Sequence, residues 1–150
     1  MATPQHGNQN SPEHEHLRHR LSTLRNALLA LHKTVVDSER VSYEATAGPI
    51  QSSSQFLQLL TDDAWFAWLR PFSQLIVSMD QALDEKEPLT IDIVDDLSKQ
   101  ARRMLVASEN GEGFAGHYHS ALQRDPDVVM AHAEVAKLLG PRKPPEPEVN

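Results

Sequence analysis

The chain has no cysteine. That excludes a disulfide framework, a thiolate nucleophile, a thiolate zinc site and an iron–sulfur cluster, and it suits a reducing compartment, so a cytoplasmic location is expected. No apolar run reaches the ~18 residues of a membrane-spanning helix. The first thirty residues are polar with scattered His, Glu and Arg, so a secretory signal is not expected either. No segment alternates polar and apolar residues long enough to read as a strand, and no repeat of fixed length recurs. Cations are in the minority: 14 Lys and Arg stand against 21 Asp and Glu, and the net charge of −7 repels nucleic acid and anionic lipid over most of the surface. Arg18, Arg20 and Arg25 form a weak basic patch without interleaved aromatics, so neither nucleic acid nor membrane is an expected partner. A Gly-x-Ser-x-Gly elbow, a phosphate-cradling glycine loop and a dinucleotide fingerprint are all missing, which leaves nucleophilic catalysis without support.

What the chain does have is helical periodicity. In residues 61–83, Trp65, Leu69, Phe72, Ile76, Met79 and Leu83 recur at four and three residue steps, and Phe66, Trp68, Leu75 and Ala82 widen the stripe. This stretch is expected to be the central helix, opened by Thr61, Asp62 and Asp63 and kinked at Pro71, where a backbone hydrogen bond is lost. Ser11 and Pro12, followed by Glu13 and Glu15, start an earlier helix that Leu17, Leu21, Leu24, Leu28, Leu31 and Val35 carry to Gly48-Pro49. From 12 to 47 such a helix is about 54 Å long, more than one small domain needs, so its polar start, EHEHLRHR, is expected to protrude or fray.

Between these two helices, Ser52-Ser53-Ser54 opens a short helix over residues 55–60 with Phe56, Leu57, Leu59 and Leu60 facing inward. After a polar break at 84–88, Thr90 caps a helix carried by Ile91, Val94, Leu97, Ala101, Met104 and Leu105, with Lys99, Arg102 and Arg103 outward. The run SENGEG at 108–113 stops it. Phe114, Tyr118, Ala121 and Leu122 mark a shorter helix. Asp125-Pro126 then starts a last one, through Val128, Val129, His132, Val135, Ala136, Leu138 and Leu139 to Gly140-Pro141. The expected fold is all-α: an up-and-down helical bundle with a kinked central helix and short C-terminal helices, one domain over 11–140 between a disordered N-terminal tail, 1–10, and a Pro-rich disordered tail, 141–150.

Eight histidines are the chemical feature to weigh. His16 and His19, with Glu13 and Glu15 beside them, read as a solvated helix end rather than a chelate, because structural sites need several converging ligands. His32, Glu39 and Tyr43 fall on one side of the first helix, and His117, His119 or His132 from the C-terminal helices could complete a carboxylate and imidazole site for Fe, Zn or Mn. The Glu-x-x-His pairs of di-iron bundles do not occur, and a satisfied edge histidine explains the same residues. Trp65, Phe66, Trp68 and Phe72 cannot all point at one seam, since neighbours on a helix diverge by about 100°. Some of them must meet a further surface, either the short helix before them or a partner chain, where they would act as interface anchors.

These features add up to a non-enzymatic interaction or structural module that binds a partner protein or a second copy of itself. A metal-binding bundle is the alternative, and a small apolar ligand held beside Pro71 is a third reading.

Overall fold

The computed structural model describes residues 12–84 and 88–140; the two expected tails, the cap expected at Ser11 and residues 85–87 lie outside them. All regular structure among the described residues is helical: α1 (Pro12–Ala47), α2 (Ser53–Asp62), a 3-10 segment (Ala64–Leu69), α3 (Arg70–Asp84), α4 (Ile91–Met104), α5 (Phe114–Arg124) and α6 (Pro126–Leu139). No helix among them is long and apolar enough to cross a membrane.

The boundaries follow local chemistry. Ser52 accepts a hydrogen bond from the Gln55 amide at the start of α2, and Thr90 does the same for Ile93 at the start of α4. Asp125 closes α5 and caps α6, its carboxylate accepting from the Asp127 amide, while Pro126 occupies a first-turn position that needs no donor. Gly48 and Gly140, at φ of 92° and 78°, end α1 and α6 in conformations that side chains rarely adopt.

The stretch expected to be one kinked helix is three pieces. α2 runs on through Thr61 to Asp62, so Thr61 caps nothing; its hydroxyl bonds back to the Leu57 carbonyl. Asp63 is extended and its carboxylate receives the Trp65 amide, which opens the 3-10 segment. α3 begins only at Arg70. Pro71 therefore stands in its first turn, where the missing N–H costs nothing, and no kink inside a helix is required. The apolar steps stay in phase across the joint, which is why the break is silent in the periodicity.

The organising element is α1, not residues 61–83. It packs against α3, α4, α5, α6 and the 3-10 segment. Its stripe of Leu17, Leu21, Leu24, Leu28, Leu31 and Val35 is buried throughout. Along α1 the partners run backwards, Arg25 to Asp80, His32 to Ser73 and Glu39 to Trp65, so α3 and the 3-10 segment lie antiparallel to it. The polar start of α1 does not hang free: His14 and Leu17 are buried, and Arg18 donates to the Leu83 carbonyl at the far end of α3. Leu57, expected inward, is 65% exposed, and Ile91, Val129 and Leu138, counted among the residues that carry their helices, are 56%, 47% and 45% exposed. The loop after α4 folds back on α5, where Gly111 and Gly116 approach so closely that a Cβ on Gly116 would meet the Gly111 carbonyl oxygen.

Candidate functional site

The five residues considered as metal ligands do not converge. Among the described residues no three His, Asp or Glu side chains are placed to share an ion. His32 lies on Ser73, Nε2 to Oγ 2.8 Å, with its ring edge against Phe72. Burial holds its pKa below the ordinary imidazole value. Glu39 is buried and both oxygens are taken: Oε2 accepts the Trp65 indole N–H at 3.0 Å and Oε1 accepts from Arg124 at 2.8 Å. His117 stacks on Trp68, planes 14° apart, and shares a cleft of about 240 Å³ with Glu39, Ser42, Trp65 and Arg124. His132, on α6, has Nδ1 2.6 Å from the Tyr118 hydroxyl and does not line that cleft. His119, half-buried on α5, belongs to neither group.

Glu39 and His117 are thus the one pair that the fold does bring to a common cleft. Their chemistry there is structural. Arg124 reaches across 85 residues of sequence to Glu39 and also donates to the buried Ser38 hydroxyl. One guanidinium so ties the end of α5 to α1, and the indole of Trp65 ties the 3-10 segment to the same carboxylate. Both oxygens of this carboxylate are thus already engaged by internal donors. Arg124 was not readable from spacing as the partner of Glu39, because nothing local links them.

The aromatic residues considered as interface anchors are nearly all internal. Phe66, Trp68 and Phe72 are 1%, 9% and 0% exposed. Phe66 meets Tyr43 of α1 and Phe56 of α2, Trp68 meets Phe114 and His117 of α5, and Phe72 meets His32 and Phe114. The further surface that this run needed is the chain's own α2 and α5. Trp65 alone keeps an exposed side, at 36%.

Large apolar side chains are exposed on several helices, among them Val41, Leu57, Val77 and Ile91, and on α6 two of them are adjacent. Val128 and Val135 are fully buried, yet Val129 and Met130 are 47% and 69% exposed, and Ala133 and Ala136 are exposed as well. The signal was present in the sequence, since apolar residues on α6 cover more than the one stripe a single seam can bury. No protein-family model, curated protein or solved structure matches this chain.

Proposed function

We propose that the protein works by protein–protein contact, docking an apolar helix on the outward face of α6. The observation that carries this reading is the unburied stripe Val129, Met130, Ala133 and Ala136 on a helix whose inward Val128 and Val135 are already buried. The stripe is graded, large side chains in its N-terminal half and alanines in its C-terminal half. An antiparallel partner with the same gradient sets bulk against gap along the whole contact, and a second copy of this chain presents such a helix about a two-fold axis. Helix α6 has 14 residues, about 21 Å, so the contact is small and belongs with transient interfaces.

Light scattering across a concentration series tests the reading. The expected result is a monomer–dimer equilibrium in the micromolar range that Ala133→Glu abolishes. A chain that stays monomeric at several hundred micromolar, or a dimer indifferent to Ala133→Glu, rejects α6 self-docking.

A further inference from the structure

A second feature of α6 lies on its other flank. Between its C-terminal end and that of α4 is a cleft of about 300 Å³, walled mainly by Leu105, Val106, Val135 and Leu139. Two polar side chains line it, Arg102 and His132, and no acid does.

Tyr118 is fully buried, and its hydroxyl lies 2.6 Å from His132 Nδ1. A buried phenol hydrogen without an acceptor is costly, so the hydroxyl donates to Nδ1 and the imidazole proton resides on Nε2. Nε2–H is then the ring's polar group available to the cleft. Arg102 is half-buried and gives one N–H to the Leu139 carbonyl, the last of α6. That bond fixes the guanidinium at the cleft wall, with further N–H groups of the same rigid fork unused. Both donors are therefore held in place before any ligand arrives, above an aliphatic floor.

We propose that this cleft binds a small carboxylate with an apolar tail, the carboxylate between Arg102 and His132 and the tail along Leu105, Val106 and Val135. Donors with no lining acid select an anionic acceptor, the planar guanidinium matches a carboxylate, and the volume suits a chain of about ten heavy atoms. This goes beyond helix docking on α6 and does not depend on it: of the docking stripe only Ala136 also lines the cleft, while Val129, Met130 and Ala133 do not.

The probe is octanoate, with octanol as the uncharged molecule of the same tail, titrated into the full chain and followed by backbone amide shifts. The expected shifts fall on Val106, Ala107, Ala136 and Gly140, with octanoate binding about tenfold or more tighter than octanol, a difference of ~1.4 kcal/mol or more. Arg102→Gln should remove that preference and leave octanol binding as it was. Ala107→Trp, on an exposed loop residue whose replacement leaves the core intact, should fill the cleft and weaken both probes. Equal affinity for the two probes, shifts confined to Val129–Ala133, unchanged octanoate binding in either variant, or no shift at several millimolar octanoate would each overturn the proposal.

Discussion

The 3-10 segment and α6 are both strongly apolar in sequence, and the fold treats them in opposite ways. Phe66 and Trp68 are 1% and 9% exposed, whereas Val129 and Met130 are 47% and 69% exposed. The difference is in the neighbours available. The 3-10 segment lies in a corner where α1, α2 and α5 each offer a surface, so residues pointing in divergent directions all find cover. α6 has its close neighbours, α1 and α5, on one side. Apolar content alone therefore does not mark an interface; what matters is how many faces a helix makes apolar against how many the fold covers.

If the aromatic corner is closed and well packed, truncating it should have the largest effect of any single substitution. Phe72→Ala removes a ring that is 0% exposed and touches His32 and Phe114, and a cost of about 3–5 kcal/mol is expected, a fall in Tm of roughly 10 °C or more. A loss under ~1 kcal/mol in a denaturant titration would mean that the corner is loose and the contrast with α6 is false. Glu39→Ala comes next. It strips the acceptor from the Trp65 indole and from Arg124 at once, but the Arg124 side chain is 36% exposed and water can resolvate it. A cost of about 2 kcal/mol follows, below that of breaking a fully buried pair. Trp65 fluorescence should shift to longer wavelength in the same variant as the segment loosens.

The helix count, the all-α class and most boundaries were legible, because caps are local: Thr90, Asp125-Pro126, Gly48 and Gly140 act within a few residues of themselves. The division of 61–83 was not, since the apolar period continues in phase through Asp63 and Pro71 and only the cap hydrogen bond at Trp65 marks the joint. Nor was the central role of α1, because an even row of leucines looks plainer than a cluster of rings yet faces more neighbours. At the site, Glu39 and His132 stood out as polar residues on apolar faces, which they are. Their partners, Arg124 at 85 residues' separation and Tyr118 one helix earlier, come from the tertiary arrangement and not from spacing.

Acid should weaken the protein by a smaller amount, and through both regions. Burial lowers the pKa of His32, in the aromatic corner, and of His132, on α6, below the ordinary 6.5. The unfolded chain then takes up protons first as pH falls, so this stability is present above about 6.5 and is lost progressively below it. Glu44 is lowered too, chiefly because its carboxylate accepts the Ile50 amide, but that contribution fades only at lower pH, below the ordinary 4.5. Urea midpoints at pH 7.5, 6.5 and 5.5 should therefore decline, and the decline should flatten when His32 and His132 are both replaced by Gln. A midpoint constant over that range would show that neither imidazole is shielded from protonation by the fold.

The smallest expected change is also the one that separates the two regions most sharply. Ala133 is exposed on α6, so Ala133→Glu disturbs no packing, and the loss of helix propensity is only a few tenths of a kcal/mol. The new carboxylate stands four residues before Lys137, the favourable order for an ion pair along a helix, which offsets much of that. Lys137 is already engaged with Glu134 at 3.0 Å and can share the second acid. The Tm of the dilute monomer should then move by no more than about 2 °C, while dimer formation disappears. A matching large fall in Tm would place Ala133 in a packed surface after all, and α6 would have to be regarded as covered in the same sense as the aromatic corner.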